Sequence, residues 1–125
     1  MNPRKQILST IARVRRLERR RARILEDLLV PAPLLKGWLS LVQRTCGKPN
    51  CHCARKPGHP VWVLATGQGA QRRCQVVRQA DVEEVRGQVE IYRQFRAALR
   101  EFEAIGREEK ELLKGLIEKR NEPYK

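Results

Sequence analysis

Three thiols and two imidazoles lie within fourteen consecutive positions, Cys46 to His59, spaced Cys-x4-Cys-x-Cys-x5-His. Gly47, Pro49, Pro57 and Gly58 stand between them. A tetrahedral zinc site needs four soft or borderline donors converging on one point. A short loop can supply them only if it turns sharply, and glycine and proline are the residues that turn it. The loop therefore reads as a zinc knuckle, with Cys46, Cys51 and Cys53 as ligands and His59 as the fourth. Cys74, on a later predicted strand, is the alternative fourth ligand. His52 sits between two ligands, and its imidazole is expected to point away.

Other uses of clustered cysteines fit less well. Isolated free cysteines are often small core residues, but three within a polar Gly/Pro loop do not have the pattern of core packing. Met1-Asn2-Pro3-Arg4-Lys5 runs into an arginine-rich stretch with no apolar segment behind it, which leads us to expect a cytoplasmic chain. Thiols stay reduced there, and clusters of them more often hold metal than form disulfides. An iron–sulfur cluster would need Cys74 as fourth thiolate, at a spacing unlike the common ferredoxin runs.

The formal charge is +13 over 125 residues. Residues 1–30 hold nine Lys/Arg and three acids, residues 31–80 eight Lys/Arg and no acid, and residues 81–125 ten Lys/Arg and eleven acids. The excess thus lies in the first segment and the central module, which points to a polyanionic partner for that part. Arg outnumbers Lys 19 to 8. Arginine suits phosphate geometry, although a GC-rich coding sequence has the same effect.

Residues 4–29 are predicted to be helical, with Ile7, Ile11, Val14, Leu17, Ile24, Leu25 and Leu28 at three- and four-residue steps. Arginines, among them Arg13, Arg16, Arg20 and Arg23, fill the remaining circumference. The apolar stripe is narrow and lacks Trp and Phe, which argues against a membrane surface, and no apolar run is long enough to span one. Pro31 and Pro33 end the helix. Residues 37–45 favour a strand. After the knuckle, residues 61–66 and 71–77 are expected to pair as strands across Gly67-Gln68-Gly69. So small a sheet has little core, which is the structural reason for a metal. Asp81 is expected to cap a second, longer helix, with Glu84 completing a capping box. Val85, Tyr92 and Leu99 step by seven along it, near Val89, Phe95, Phe102 and Leu116, and Gly106 and Glu109 interrupt the seam.

The expected fold is α+β. A small antiparallel three-stranded sheet (37–78) carries the zinc knuckle at the tip of a long, coiled-coil-like antiparallel hairpin. The basic helix (1–30) and the long helix (81–120) form that hairpin. Surplus apolar surface on the second helix, from about Phe102 onward, leads us to expect a homodimer or a larger complex.

Gly37-Trp38-Leu39 stands ahead of Cys46-Gly47-Lys48-Pro49-Asn50-Cys51-His52-Cys53-Ala54-Arg55. Gly58-His59-Pro60, a strand with Trp62, a basic hairpin and a helix with Ile91-Tyr92 follow. This arrangement resembles a family of small bacterial and archaeal proteins described as a domain of unknown function. Its pattern is a Cys-Gly-Lys-Pro-x-Cys-x-Cys core followed by His-Gly-Pro; here Pro60 follows His59 directly. The resemblance spans about residues 37–105 and leaves the first helix outside. It implies Cys46, Cys51, Cys53 and His59 as the metal set. A loose association of the family with mobile elements implies a DNA or RNA partner.

Three functions compete for this sequence. A nucleic-acid-binding accessory protein would set Lys48, Arg55, Lys56, Arg72 and Arg73 against phosphates, beside the arginines of the first helix. Trp38 or Trp62 could stack on an unpaired base, although burial in the sheet is the expectation for both. An adaptor docking on a larger nucleic-acid-processing enzyme through its long helices is the alternative. An enzyme is disfavoured: both histidines lie in the knuckle, the acids lie on a helix surface, and a closed site leaves zinc no open position.

Overall fold

Asn2 caps the first helix, its side-chain oxygen accepting from the Arg4 amide at 2.8 Å, and Pro3 occupies the first turn, where its missing amide hydrogen costs nothing. Helix α1 runs from Pro3 to Leu28. The remaining elements, in chain order, are β1 (Gly37–Arg44), β2 (His59–Thr66), β3 (Arg73–Val77) and α2 (Val82–Arg120). The computed structural model describes residues 2–45, 47–48, 50 and 58–124. These divide into two compact units, Met1–Pro31 with Phe95–Lys125, and Ala32–Gln94. Helix α2 contributes to both.

The fold is α+β, with a small three-stranded antiparallel sheet and two helices, one of them long. The strand order is β1-β2-β3. Cross-strand pairs run from Gly37↔Thr66 to Arg44↔His59 on one side of β2, and from Trp62↔Val77 to Thr66↔Arg73 on the other. The turn between β2 and β3 needs Gly67. Its φ is +78°, and a Cβ there would meet the Gln71 carbonyl oxygen at 2.3 Å. The predicted strand over 71–77 begins two residues later than expected, because Gly69–Gln71 closes as a single 3-10 turn.

In the sheet unit, Val63 and Leu64 on β2 and Val82 and Val89 on α2 are buried. The Leu35 amide donates to the Gln88 carbonyl at 3.1 Å, tying the segment before β1 to α2. The guanidinium of Arg86 lies 4.9 Å over the Trp62 ring, a cation–π contact. Trp62 is half-buried in this way, as expected, and Trp38 is not: it is 71% exposed.

In the helical unit, α1 and the later part of α2 run antiparallel, since the partners descend along α2 as α1 ascends. Thr10 meets Lys119, Arg13 meets Glu108, and Arg20 meets Glu101. Helix α1 covers part of the apolar surface of α2 beyond Phe102: Ile105 is buried, while Leu113 and Ile117 stay exposed. The seam keeps Phe102, Leu112 and Leu116 of the predicted one and adds Ala98 and Ile105. Ala98, Ile105 and Leu112 form one seven-residue row, and Phe102, Glu109 and Leu116 the other, all buried or half-buried. Leu99, on the expected row, is exposed. Two neighbouring rows of α2 both carry apolar residues, and only the position of α1 chooses between them. Gly106 lies inside a continuous helix.

Candidate metal loop and nucleic-acid interface

The mouth of the cysteine loop is the part of the metal site that can be described. The register pairs Arg44, the last residue of β1, with His59, the first of β2. Gly58 sits so close that a Cβ on it would stand 2.2 Å from the carbonyl carbon and oxygen of Arg44. The two ends of the loop are therefore pressed together by backbone pairing. The segment between them carries all three predicted thiolate ligands, and His59 stands at its exit. Cys46, Cys51, Cys53, Arg55 and Lys56 lie outside the described residues. Among the described residues, no three His, Cys, Asp or Glu side chains gather as metal ligands.

Cys74 is exposed on β3 and pairs with Ala65. His59 and Ala65 are six residues apart on β2, which is about 20 Å at 3.3 Å per residue. Ligands of one zinc ion lie about 2.0–2.3 Å from it, so Cys74 and His59 cannot share an ion. Three thiols in the loop and an imidazole at its edge make a donor set of the kind zinc accepts, and Cys74 lies well away from that imidazole along the sheet.

The predicted phosphate-binding residues fall in both units. On α1, Arg13 Nε donates to Glu108 Oε1 at 3.0 Å and Arg20 Nε to Glu101 Oε1 at 2.8 Å. Both pairs are solvent-exposed, so they add little stability, but each brings an acid beside a cation expected to meet phosphate. Arg21 lies 4.3 Å over the Phe102 ring. Arg16 and Arg23 are exposed. In the sheet unit, Lys48, Arg72 and Arg73 are all exposed. Arg72 has extended backbone and directly precedes Arg73, the first residue of β3. Alternation along a strand sends such neighbours to opposite faces, so the two cannot contact the same phosphates.

Alternation also sorts the rest of the sheet. Directly paired residues share a face. Trp38, Ala65 and Cys74 form one row across the sheet, and Ser40, Val63 and Val76 the next row on the same face. Arg44 and His59 share that face at its far end. Trp62, Leu64 and Arg73 lie on the other face, where Arg86 of α2 covers Trp62. Nothing in the sequence alone singles out the exposed Lys36, Arg44 and Arg78. Their even numbering in step with Trp38 was visible, but the register that gives it meaning was not.

Among the described residues, Glu109 is the one ionisable group held away from its ordinary range. It occupies a seam position, and burial is the largest cause of its raised pKa. A hydrogen bond to the Glu18 side chain and the charge of that group add to it, while Arg21 opposes. Glu109 Oε1 and Arg21 Nε are both shut off from solvent and make no hydrogen bond among the described residues.

No helix of the described residues is long and apolar enough to cross a membrane. No curated protein and no solved structure is significantly similar to the chain. One family model matches, over residues 12–87. The matched region takes in most of α1, which the sequence comparison had left outside, and stops early in α2, short of the expected residue 105. The arginine-rich first helix has no motif of its own to mark it as part of the family. The chain belongs to the family described as a domain of unknown function, DUF6788.

Proposed function

We propose that this is a non-enzymatic, zinc-containing accessory protein of the cytoplasm. It binds nucleic acid largely without regard to sequence, through phosphate contacts. The observation that carries this reading is the placement of charge: residues 31–80 hold eight Lys/Arg and no acid, while residues 81–125 are nearly balanced. An acid-free stretch of this length has no internal neutralisation, and a phosphate backbone is the common polyanion that supplies it. Structural zinc in the Cys46, Cys51, Cys53 and His59 set would give the small sheet the stability that its few buried residues do not.

The test is purification without chelator, metal analysis, and titration into fluorescent DNA and RNA at two salt concentrations. About one zinc per chain is expected, with affinity that falls steeply as salt rises. A folded, metal-free protein would overturn the zinc half of the proposal. Indifference to both polymers at low salt would overturn the other half.

A second reading is supported by the helical unit. Leu8, Leu113 and Ile117 are 55%, 50% and 66% exposed, as the outer apolar residues of a two-helix hairpin must be when no third helix covers them. An adaptor docking on a larger enzyme, or a homodimer, would use that surface. Binding to such a partner would depend weakly on salt, in contrast to binding of phosphate.

A further inference from the structure

The face of the sheet that carries Trp38 has an unusual composition. Trp38 is 71% exposed although it lies within a strand. Its row continues with Ala65 and Cys74, both short side chains, so nothing large flanks the indole across the sheet. In the next row Val63 is buried on the central strand, and Val76 at the edge is 54% exposed. Burying an exposed indole is worth a good deal of free energy, and the Trp38 end of this face leaves it open beside small residues.

The rim of this face is cationic. By the two-residue alternation, Lys36 just before β1 and Arg72 just before β3 stand on the Trp38 face at one end of the sheet. Arg44 at the end of β1 and Arg78 just after β3 stand on it at the other. Arg72 and Arg78 both have extended backbone, which continues the alternation past the strand ends. All four are exposed. The stretch from 31 to 80 holds no acid to compete for them. Lys36 to Arg44 spans about 26 Å, and the two outer strands lie about 10 Å apart.

We infer that this face binds an unpaired stretch of nucleic acid, one base stacking on Trp38 while Lys36, Arg72, Arg44 and Arg78 hold the phosphates around it. The inference rests on the nucleic-acid reading above and narrows it to single strands. A base can stack on an aromatic ring only when its own face is free, which a duplex denies it. A regular duplex offers phosphates to the cations but nothing to the indole. The opposite face is unsuited to this role, since its tryptophan is already covered by Arg86.

The experiment compares a fluorescein-labelled oligo-dT with the same strand annealed to oligo-dA, for the full chain and three variants. Trp38→Ala is expected to weaken binding to oligo-dT roughly 5- to 150-fold and to leave duplex binding unchanged. Trp38→Phe is expected to retain most of the single-strand affinity. Arg44→Ala combined with Arg72→Ala is expected to weaken both complexes and to lower the salt dependence. Because Trp38 and the two arginines are exposed, far-ultraviolet circular dichroism is expected to match the parent in every case. Equal loss on both forms, or no loss on either, with Trp38→Ala would overturn the stacking site and leave the nucleic-acid reading standing. Failure of the unaltered chain to bind either form would overturn both. Trp38-dependent binding to anionic vesicles in place of oligo-dT would assign the face to a membrane and overturn the inference.

Discussion

Glu109 shows how one residue can be out of step with the element that carries it. It falls in the row Phe102, Glu109, Leu116, where an apolar side chain would serve, and faces Glu18 and Arg21. Its pKa is raised chiefly by burial, so the folded state holds the proton more tightly than the unfolded chain does. The sign follows from that. The stabilising contribution is fully present below the unfolded-state value and is lost as pH rises through the folded one. Glu109→Gln keeps the shape and removes the titration. It is expected to raise the melting temperature at neutral pH, and to flatten the fall in stability as pH climbs above the ordinary glutamate range. Thermal melts across that window check it. A variant that melts lower at neutral pH, with the slope unchanged, would mean that Arg21 outweighs burial. The sequence showed Glu109 as a break in the seam. It could not show that Glu18 and Arg21 meet it from another helix ninety residues away.

At the scale of elements, the hairpin mouth between β1 and β2 depends on a residue with no side chain. Gly58 packs against the Arg44 backbone at a distance that no Cβ tolerates. Gly58→Ala is expected to force the strands apart at Arg44↔His59 and to lower metal content severalfold in the purified protein, with far-ultraviolet helical signal largely kept. Full metal occupancy in that variant would show that the loop closes without the register. A second expectation concerns the helices. Ile105 is 6% exposed at the centre of its row, and Ile105→Ala is expected to cost about 2–4 kcal/mol in denaturant unfolding of the helical unit. Leu99→Ala, on the row first expected to be buried, should cost clearly less. Strand and helix positions were legible because period-two and period-3.6 patterns are local. The buried rows of α2 were legible only in part: Phe102 and Leu116 were, but Ile105 and the exposure of Leu99 were not, because adjacent rows satisfy the same spacing rule and only the partner helix selects between them.

For the molecule as a whole, the division into two units has a thermodynamic consequence. None of Cys46, Cys51, Cys53 or His59 belongs to the helical unit, Met1–Pro31 with Phe95–Lys125. If zinc holds the sheet unit, its loss acts there first. Cys51→Ser is expected to lose metal and to abolish the near-ultraviolet signal of Trp38 and Trp62, while most of the signal at 222 nm persists. Loss of both signals together would mean that the two units unfold as one cooperative system. Charge follows a similar division. The acids that pair with α1 arginines are on α2, at Glu101 and Glu108, whereas residues 31–80 have none of their own. The cations of the sheet unit are therefore better placed than those of α1 to meet a polyanion.

The amino-acid sequence alone determined the helices, the three strands, the cysteine-rich loop between the first two, the family and the concentration of positive charge. Each of these depends on spacing or composition over a short stretch of chain, which local physics reads without help. Tertiary structure decided the rest. The strand register separated Cys74 from His59 and put Arg44 on the same face as an exposed Trp38. Helix pairing gave Arg13 and Arg20 acidic neighbours and chose the buried row of α2. These are relations between residues far apart in sequence, and they exist only once backbone pairing and burial have picked one arrangement among several that the local patterns allow.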